Sequence, residues 1–165
     1  MSDDSGKQSQ EEDNFATAPY SILVVDDNPD LTDFLKKALG EYFKRILTAS
    51  DGVEALQLIK SHTPDIIVSD VMMPRMNGYE LCKNIKEDIA ISHIPVILLT
   101  ARDDKQSQMS GYKNGADAYL TKPFEVEMLM ELIRNRLKNR EHTKKRYLNT
   151  GPVSYTHLTL PTIRL

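Results

Sequence analysis

A chain of 165 residues has room for one domain of about 120 to 130 residues plus tails. Its net charge of −3 gives no reason to expect affinity for nucleic acid or anionic membranes. No apolar stretch approaches the roughly 20 residues of a membrane span, and the polar, acidic start is unlike a signal peptide. The lone cysteine, Cys82, allows no internal disulfide and fits a reducing cytoplasm; its plainest role is a small helix residue near the core.

Residues 1 to about 19 are rich in Ser, Asp, Glu and Gln and read as a disordered acidic tail or linker. Strand and helix patterns then alternate five times. The first apolar run, Ile22 to Val25, ends at Asp26-Asp27. Asn28 and Pro29 cap a helix whose stripe is Leu31, Phe34, Leu35, Ala38, Leu39 and Tyr42. A weaker strand, Ile46 to Ala49, precedes a helix opened by the capping pair Asp51 and Glu54. Pro64 marks the entry to Ile66-Ile67-Val68, which ends at Asp70. The loop from Met72 to Gly78 is dense in turn residues and leads to a helix from about Tyr79 to Glu87. Pro95 introduces Val96 to Leu99, closed by Thr100. A helix over about Lys105 to Lys113 ends at the cap signal Asn114-Gly115. Ala118-Tyr119-Leu120 leads to Lys122, and a last helix carries Val126, Leu129, Met130, Ile133 and Leu137 on one face.

Short continuous apolar runs of this kind are buried parallel strands, and the alternation predicts an α/β fold with helices on both faces of the sheet. Ligands of open α/β sheets bind outside the carboxyl ends of the strands. The strand order 2-1-3-4-5 makes neighbours of the four strands with polar ends and sends the bland second strand to the edge. Asp26, Asp27, Asp70, Thr100 and Lys122 then converge on one rim.

Three crowded carboxylates repel one another, and a divalent cation resolves the conflict. Mg²⁺ suits oxygen ligands and bridges carboxylate to phosphate. Asp26 and Asp27 are the expected ligands. Asp70, on the central strand, is the expected nucleophile, forming an aspartyl phosphate. Lys122 and Thr100 would neutralise or hydrogen-bond the phosphoryl oxygens. Taken singly, each residue has a duller explanation: helix-start charge, turn residue, structural threonine, solvated lysine. Their joint placement argues for the site.

These residues also resemble a known family. Val24-Val25-Asp26-Asp27-Asn28, Ser69-Asp70-Val71-Met72-Met73-Pro74, Asn77-Gly78, Leu98-Leu99-Thr100-Ala101 and Gly115 to Phe124 are similar to the receiver domain of two-component response regulators, over about Ser21 to Lys138. The resemblance implies a flavodoxin-like (βα)5 doubly wound sheet and phosphoryl transfer from a histidine kinase to Asp70 with Mg²⁺. It implies that the Met72 carbonyl is a further metal ligand, that Lys122-Pro123 is cis, and that Thr100 and Tyr119 form a switch pair. Their movement would repack the face of the fourth helix, fifth strand and fifth helix, toward an output domain or a second copy. The implied setting is the cytoplasm, the implied output is transcription, and DNA would be reached only through an output domain not seen here.

Two readings concern this chain in particular. Met72 is apolar and cannot orient an attacking water, and Arg102 is placed to shield a phosphoryl group, so slow self-dephosphorylation is expected. Arg134, Arg136, Lys138, Arg140, Lys144, Lys145 and Arg146 crowd the end of the last helix; they read as charges favoured at a helix C-terminus and as the solvated face of a long exposed helix, rather than as a nucleic-acid site. The receiver unit is assigned to residues 20–140, with 141–165 as a helix extension or linker. Residues 151 to 165 break the helical pattern and resemble translated adapter sequence, so the natural chain is expected to continue differently after about Thr150. The scattered histidines lack metal-ligand spacing.

Competing readings fare worse. An aspartyl-phosphate hydrolase would pair its acids as Asp-x-Asp and carry a cap domain. A flavin module of the same fold would need a Ser-, Thr- or Gly-rich phosphate loop where Asp26-Asp27-Asn28-Pro29 stands. A fragment of a hybrid kinase or of a DNA-binding regulator is compatible with the receiver reading.

Overall fold

In a computed structural model, which describes residues 15–101 and 115–163 and side chains as far as Lys144, five parallel strands form one sheet. The strands are β1 (Ser21–Val25), β2 (Arg45–Ala49), β3 (Ile66–Asp70), β4 (Val96–Ala101) and β5 (Ala118–Lys122). Their order is β2-β1-β3-β4-β5, as the placement of polar strand ends predicts. Helices α1 (Pro29–Leu39), α2 (Gly52–His62) and α3 (Gly78–Glu87) and a final helix (Val126–Ile163) connect or cover the strands. The helix expected over Lys105 to Lys113, its Asn114 cap and Arg102 lie outside the described residues.

Alternation along each strand divides the core in two. Ile22, Val24, Ile66, Val68, Ile97, Leu99 and Leu120 point to the face covered by α1 and the final helix, where they meet Leu35, Leu39, Leu129, Ile133 and Leu137. Leu23, Val25, Ile67 and Leu98 point the other way, onto Ala55, Ile59, Leu81, Cys82 and Ile85 of α2 and α3. Both faces are apolar, which is why the strands read as uninterrupted hydrophobic runs.

The caps follow the sequence. The Asn28 side chain accepts from the Asp30 amide, with Pro29 at the first turn of α1. Asp51 accepts from the Glu54 amide at 2.9 Å. The returning bond of the capping box lands one residue early: Glu54 accepts from the amide and hydroxyl of Ser50. Gly115 takes a φ of 80°, the left-handed backbone that its glycine permits.

Four expectations are corrected. On α1 the buried line is Thr32, Leu35 and Leu39, whereas Phe34 and Tyr42 are exposed, because one helical face is narrower than the apolar stripe. The acidic tail was expected to run to residue 19. Instead Phe15 stacks on Tyr20 with ring centroids 5.8 Å apart, both pack against the first core cluster, and buried Thr17 donates to the Tyr42 carbonyl. The helical backbone continues through Gly151 and Pro152 to Ile163. A proline inside a helix removes one hydrogen bond and costs about 3 kcal/mol, which a long helix can absorb. Arg134, Arg136, Lys138, Arg140 and Lys144 therefore sit within the helix, and the helix dipole does not account for them.

Cys82 is fully buried and burial pushes its thiol up to about 11, which matches its structural reading. In the native protein at pH 8 it should label with a soluble disulfide reagent only as fast as the fold opens. Labelling at the rate of a free thiol would contradict the packing of α3.

Candidate functional site

The sheet order brings four strand ends side by side. Asp26 extends the parity of Ile22 and Val24, Asp70 that of Ile66 and Val68, and Lys122 that of Leu120, so all three side chains leave the sheet on the same side. Lys122 reaches across β4. Its Nζ lies 3.0 Å from Asp70 Oδ1 and 3.5 Å from Asp26 Oδ2. Asp26, Asp27 and Asp70 each offer an oxygen within 4.8 Å of the others.

The three acids are unequally exposed. Asp26 is only 3% exposed, Asp70 partly buried and Asp27 exposed. Burial pushes the Asp26 carboxyl up, and the nearby Asp70 charge adds to the shift. The Asn28 amide, donating to Asp26 at 2.8 Å, and Lys122 oppose it. Asp70 Oδ1 also accepts from the Val71 amide at 2.9 Å, which fixes that oxygen on its strand. This donor set fits a hard divalent cation: three clustered carboxylates, one of them desolvated, with the Lys122 ammonium alone to answer them among the described residues.

Thr100 is fully buried at the end of β4, and its hydroxyl meets no hydrogen-bond partner among the described residues. Tyr119 pairs in register with Leu98, and Thr121 with Thr100, so Tyr119 shares a sheet face with Thr100. The tyrosine is half-buried against the cluster formed by α2 and α3. Met72 is exposed, at the start of the loop after β3. The Lys122-Pro123 bond is cis, as the resemblance implied.

What holds this loop is a set of contacts with α2 and β3 that local sequence does not announce. Arg75, with a φ of 65°, donates through both Nε and a terminal nitrogen to Asp51 Oδ2, the N-cap residue of α2. The Met76 carbonyl accepts from the Gly52 amide, and a Cβ on Gly52 would lie 2.7 Å from Met76 Cγ. Gly78 donates to the Val71 carbonyl at 2.8 Å, and a Cβ there would fall 2.3 Å from the Asp70 carbonyl oxygen. Only a glycine allows that approach. A lone Arg in a turn-rich loop carries no sequence signal for such a clamp, but the Asn77-Gly78 pair beside an acidic strand end does hint at close packing.

Comparison with known proteins agrees with this geometry. A sequence model described as "Response regulator receiver domain" matches residues 22–134. The chain belongs to the response regulator receiver domain family. The receiver is 41% identical over 143 residues to Histidine kinase P4 of Formosa agariphila, covering 87% of this chain and 10% of that protein. It is also 41% identical over 120 residues to response regulator MprA of Mycobacterium sp. strain KMS, covering 73% of this chain and 51% of that protein. The chain thus spans about a tenth of that kinase and half of that regulator. Among solved structures, it resembles the receiver domain of a signal transduction histidine kinase from Syntrophus aciditrophicus, with 35% identity and a TM-score of 0.70 over 73% of this chain and 92% of that one. It likewise resembles the Francisella response regulator 1452 receiver domain, with 35% identity and a TM-score of 0.65 over 73% of this chain and 98% of that one. Two-component signal transduction, in which a receiver is the regulatory phosphoacceptor, is therefore the setting of this fold.

The Asp51 clamp makes a stability prediction. The Glu54 amide first, and then Arg75, holds the Asp51 carboxyl below its usual value. A lowered carboxylate contributes stability above the unfolded-state pKa, and that contribution is lost as pH falls through the lower folded value. Asp51→Ala should cost about 1 to 2 kcal/mol near pH 7 by urea unfolding. The difference from the wild type should shrink as the pH drops below about 4. A difference that grows on acidification would contradict the assignment.

Proposed function

We propose that Asp70 is the phosphoacceptor of this receiver and that its donor is the phosphohistidine of a sensor histidine kinase. The observation that carries the reading is the Lys122 ammonium 3.0 Å from Asp70 within a cluster of three carboxylates. In this reading an Asp70 carboxylate oxygen attacks phosphorus, the P–N bond of the donor breaks, and the imidazole nitrogen recovers a proton. Lys122 holds one phosphoryl oxygen by charge, and the Thr100 hydroxyl donates to another. Asp26, Asp27, Asp70 and the Met72 carbonyl would hold Mg²⁺. The bound ion supplies positive charge against the carboxylates and the phosphoryl oxygens. The chain's own chemistry is limited to accepting that group and slowly losing it to water.

Thr100 and Tyr119 are proposed as the switch pair. The common sheet face of the two residues supports this, because a displaced Thr100 leaves space on the side where Tyr119 stands. The shift is between two packings of one fold, biased by a covalent charge. Its readout is the surface around β5 and the helices flanking it, offered to an output domain or to a second copy of the chain. Residues 20–140 form the receiver unit in this proposal, with 141–165 as a connecting segment, and Phe15 and Thr17 pack onto that unit from the preceding stretch. The match to regulators and kinases longer than this chain supports an output elsewhere, with transcription as the proposed end. Among the described residues no helix is long and apolar enough to cross a membrane, and the lone buried cysteine suits a reducing compartment, which together support work in the cytoplasm.

Intact-mass measurement after incubation with acetyl phosphate and Mg²⁺ should find one added phosphoryl group. Asp70→Ala should abolish it, and omission of Mg²⁺ should suppress it. Rapid turnover of varied phosphate esters would instead favour the hydrolase reading.

The exposed, apolar Met72 offers no group to orient a water toward the phosphoryl site. The wild-type aspartyl phosphate should therefore decay over minutes or longer, and Met72→Asn with Arg102→Glu should accelerate the loss. Decay within seconds, or no difference between the two proteins, would overturn this expectation.

A further inference from the structure

A second concave surface lies at the opposite end of the sheet from the acidic cluster, beside the strand starts. A recess of about 430 Å³ is lined by His93 and Pro95 before β4, Asp117 before β5, and Arg136, Asn139, Arg140, Thr143 and Lys144 of the final helix. Its volume falls within the range of small-molecule sites.

The charge in the recess is one-sided. Asp117 is already engaged, accepting from Lys86 Nζ and from the Val96 amide, both at 2.8 Å. Arg140 is partly engaged, donating through a terminal nitrogen to the Asp65 carbonyl at 2.8 Å and lying 3.4 Å from its carboxylate. Among the described residues, Lys144 has only a distant contact with Glu141, at 4.0 Å. Among the described residues, the Nε atoms of Arg136 and Arg140 are buried and meet no hydrogen-bond acceptor. Such groups are costly to leave unmatched. The ring of His93 reports the same field: burial first, then Arg140, Lys144 and Lys86 hold it below its usual pKa.

Neither helix dipole nor solvation explains this arrangement. The final helix runs on to Ile163, so these residues are not at its end, and with both Nε atoms buried it is the terminal guanidinium nitrogens that the recess can offer to a ligand. Guanidinium groups match phosphate oxygens through paired N–H donors, and an ammonium adds a point charge.

We propose that this recess binds a small phosphorylated molecule, whose phosphate lies among Arg136, Arg140 and Lys144, with Thr143 and Asn139 as further donors. The site is separate from Asp70 and does not depend on its phosphorylation. A bound phosphate would tie the final helix to the segment that enters β4, on the opposite end of the sheet from the acceptor.

The test is calorimetric titration of the full chain, in magnesium-free buffer of low salt, with inorganic pyrophosphate and with adenosine monophosphate. At least one should bind saturably at one site. Arg136→Gln should weaken that binding by about tenfold or more, and the surface change Lys144→Gln severalfold. Both variants should accept phosphoryl from acetyl phosphate as the wild type does, which shows that they are folded. Succinate, with a similar charge and planar carboxylates, should bind more weakly. No saturable binding below about 10 mM would overturn the proposal. So would undiminished binding in both variants, or succinate binding as tight as either phosphate.

Discussion

Crowded negative charge at the carboxyl ends of the strands is the constraint around which the rest of this molecule is arranged. Asp26 is almost wholly removed from water, and burial pushes its carboxyl up. Asp70 stands close by, and Asp27 completes the cluster. The Lys122 ammonium answers Asp26 and Asp70 together. Buried charges of one sign are costly unless paired, so the cluster is an open demand for cation. The sheet order satisfies part of that demand by bringing β5 within reach of β1 and β3 across β4.

The support around the cluster is tighter than the number of polar residues suggests. Two apolar layers lock the five strands, leaving their relative registers no freedom that would not expose core residues. Beyond β3, Arg75 fastens the loop to the cap of α2, and Gly78 lets α3 begin against the Asp70 carbonyl. At the other end, Arg140 joins the final helix to Asp65, which also accepts from the Ser21 amide at 2.8 Å. The helix beside the first core is thus held to β1 and to the entry of β3 through one residue, Asp65.

Much of this was legible in the residues themselves. Uninterrupted apolar runs announce strands covered on both sides, and the polar residues that close them name the rim where chemistry gathers. Asn28, Pro29, Asp51 and Glu54 mark helix starts because their side chains or ring suit orphan backbone groups. The strand order followed from asking which runs end in polar residues. What could not be read was partnership at long range. Nothing in the neighbourhood of Arg75 points to Asp51, and nothing near Arg140 points to Asp65, since each pair is chosen by the fold. Phe34 and Tyr42 fit a helical stripe yet face outward, because spacing alone does not say how wide a face the sheet will cover. The same limit applies to Phe15 and Thr17, short of any periodic pattern, whose places are set by the first core and by the Tyr42 carbonyl.

The close seat of Gly78 carries a mechanical consequence. Its missing side chain lets the first turn of α3 rest on the backbone of Asp70, while Met76 and Arg75 bind the preceding stretch to α2. Helices α2 and α3 and the tip of β3 are therefore geared to one another, with Met73 packed on the second core and Met72 left exposed. The wall beside Asp70 on the α2 and α3 side is thus held by backbone contact and an ion pair, while on β4 the buried Thr100 hydroxyl meets no hydrogen-bond partner among the described residues.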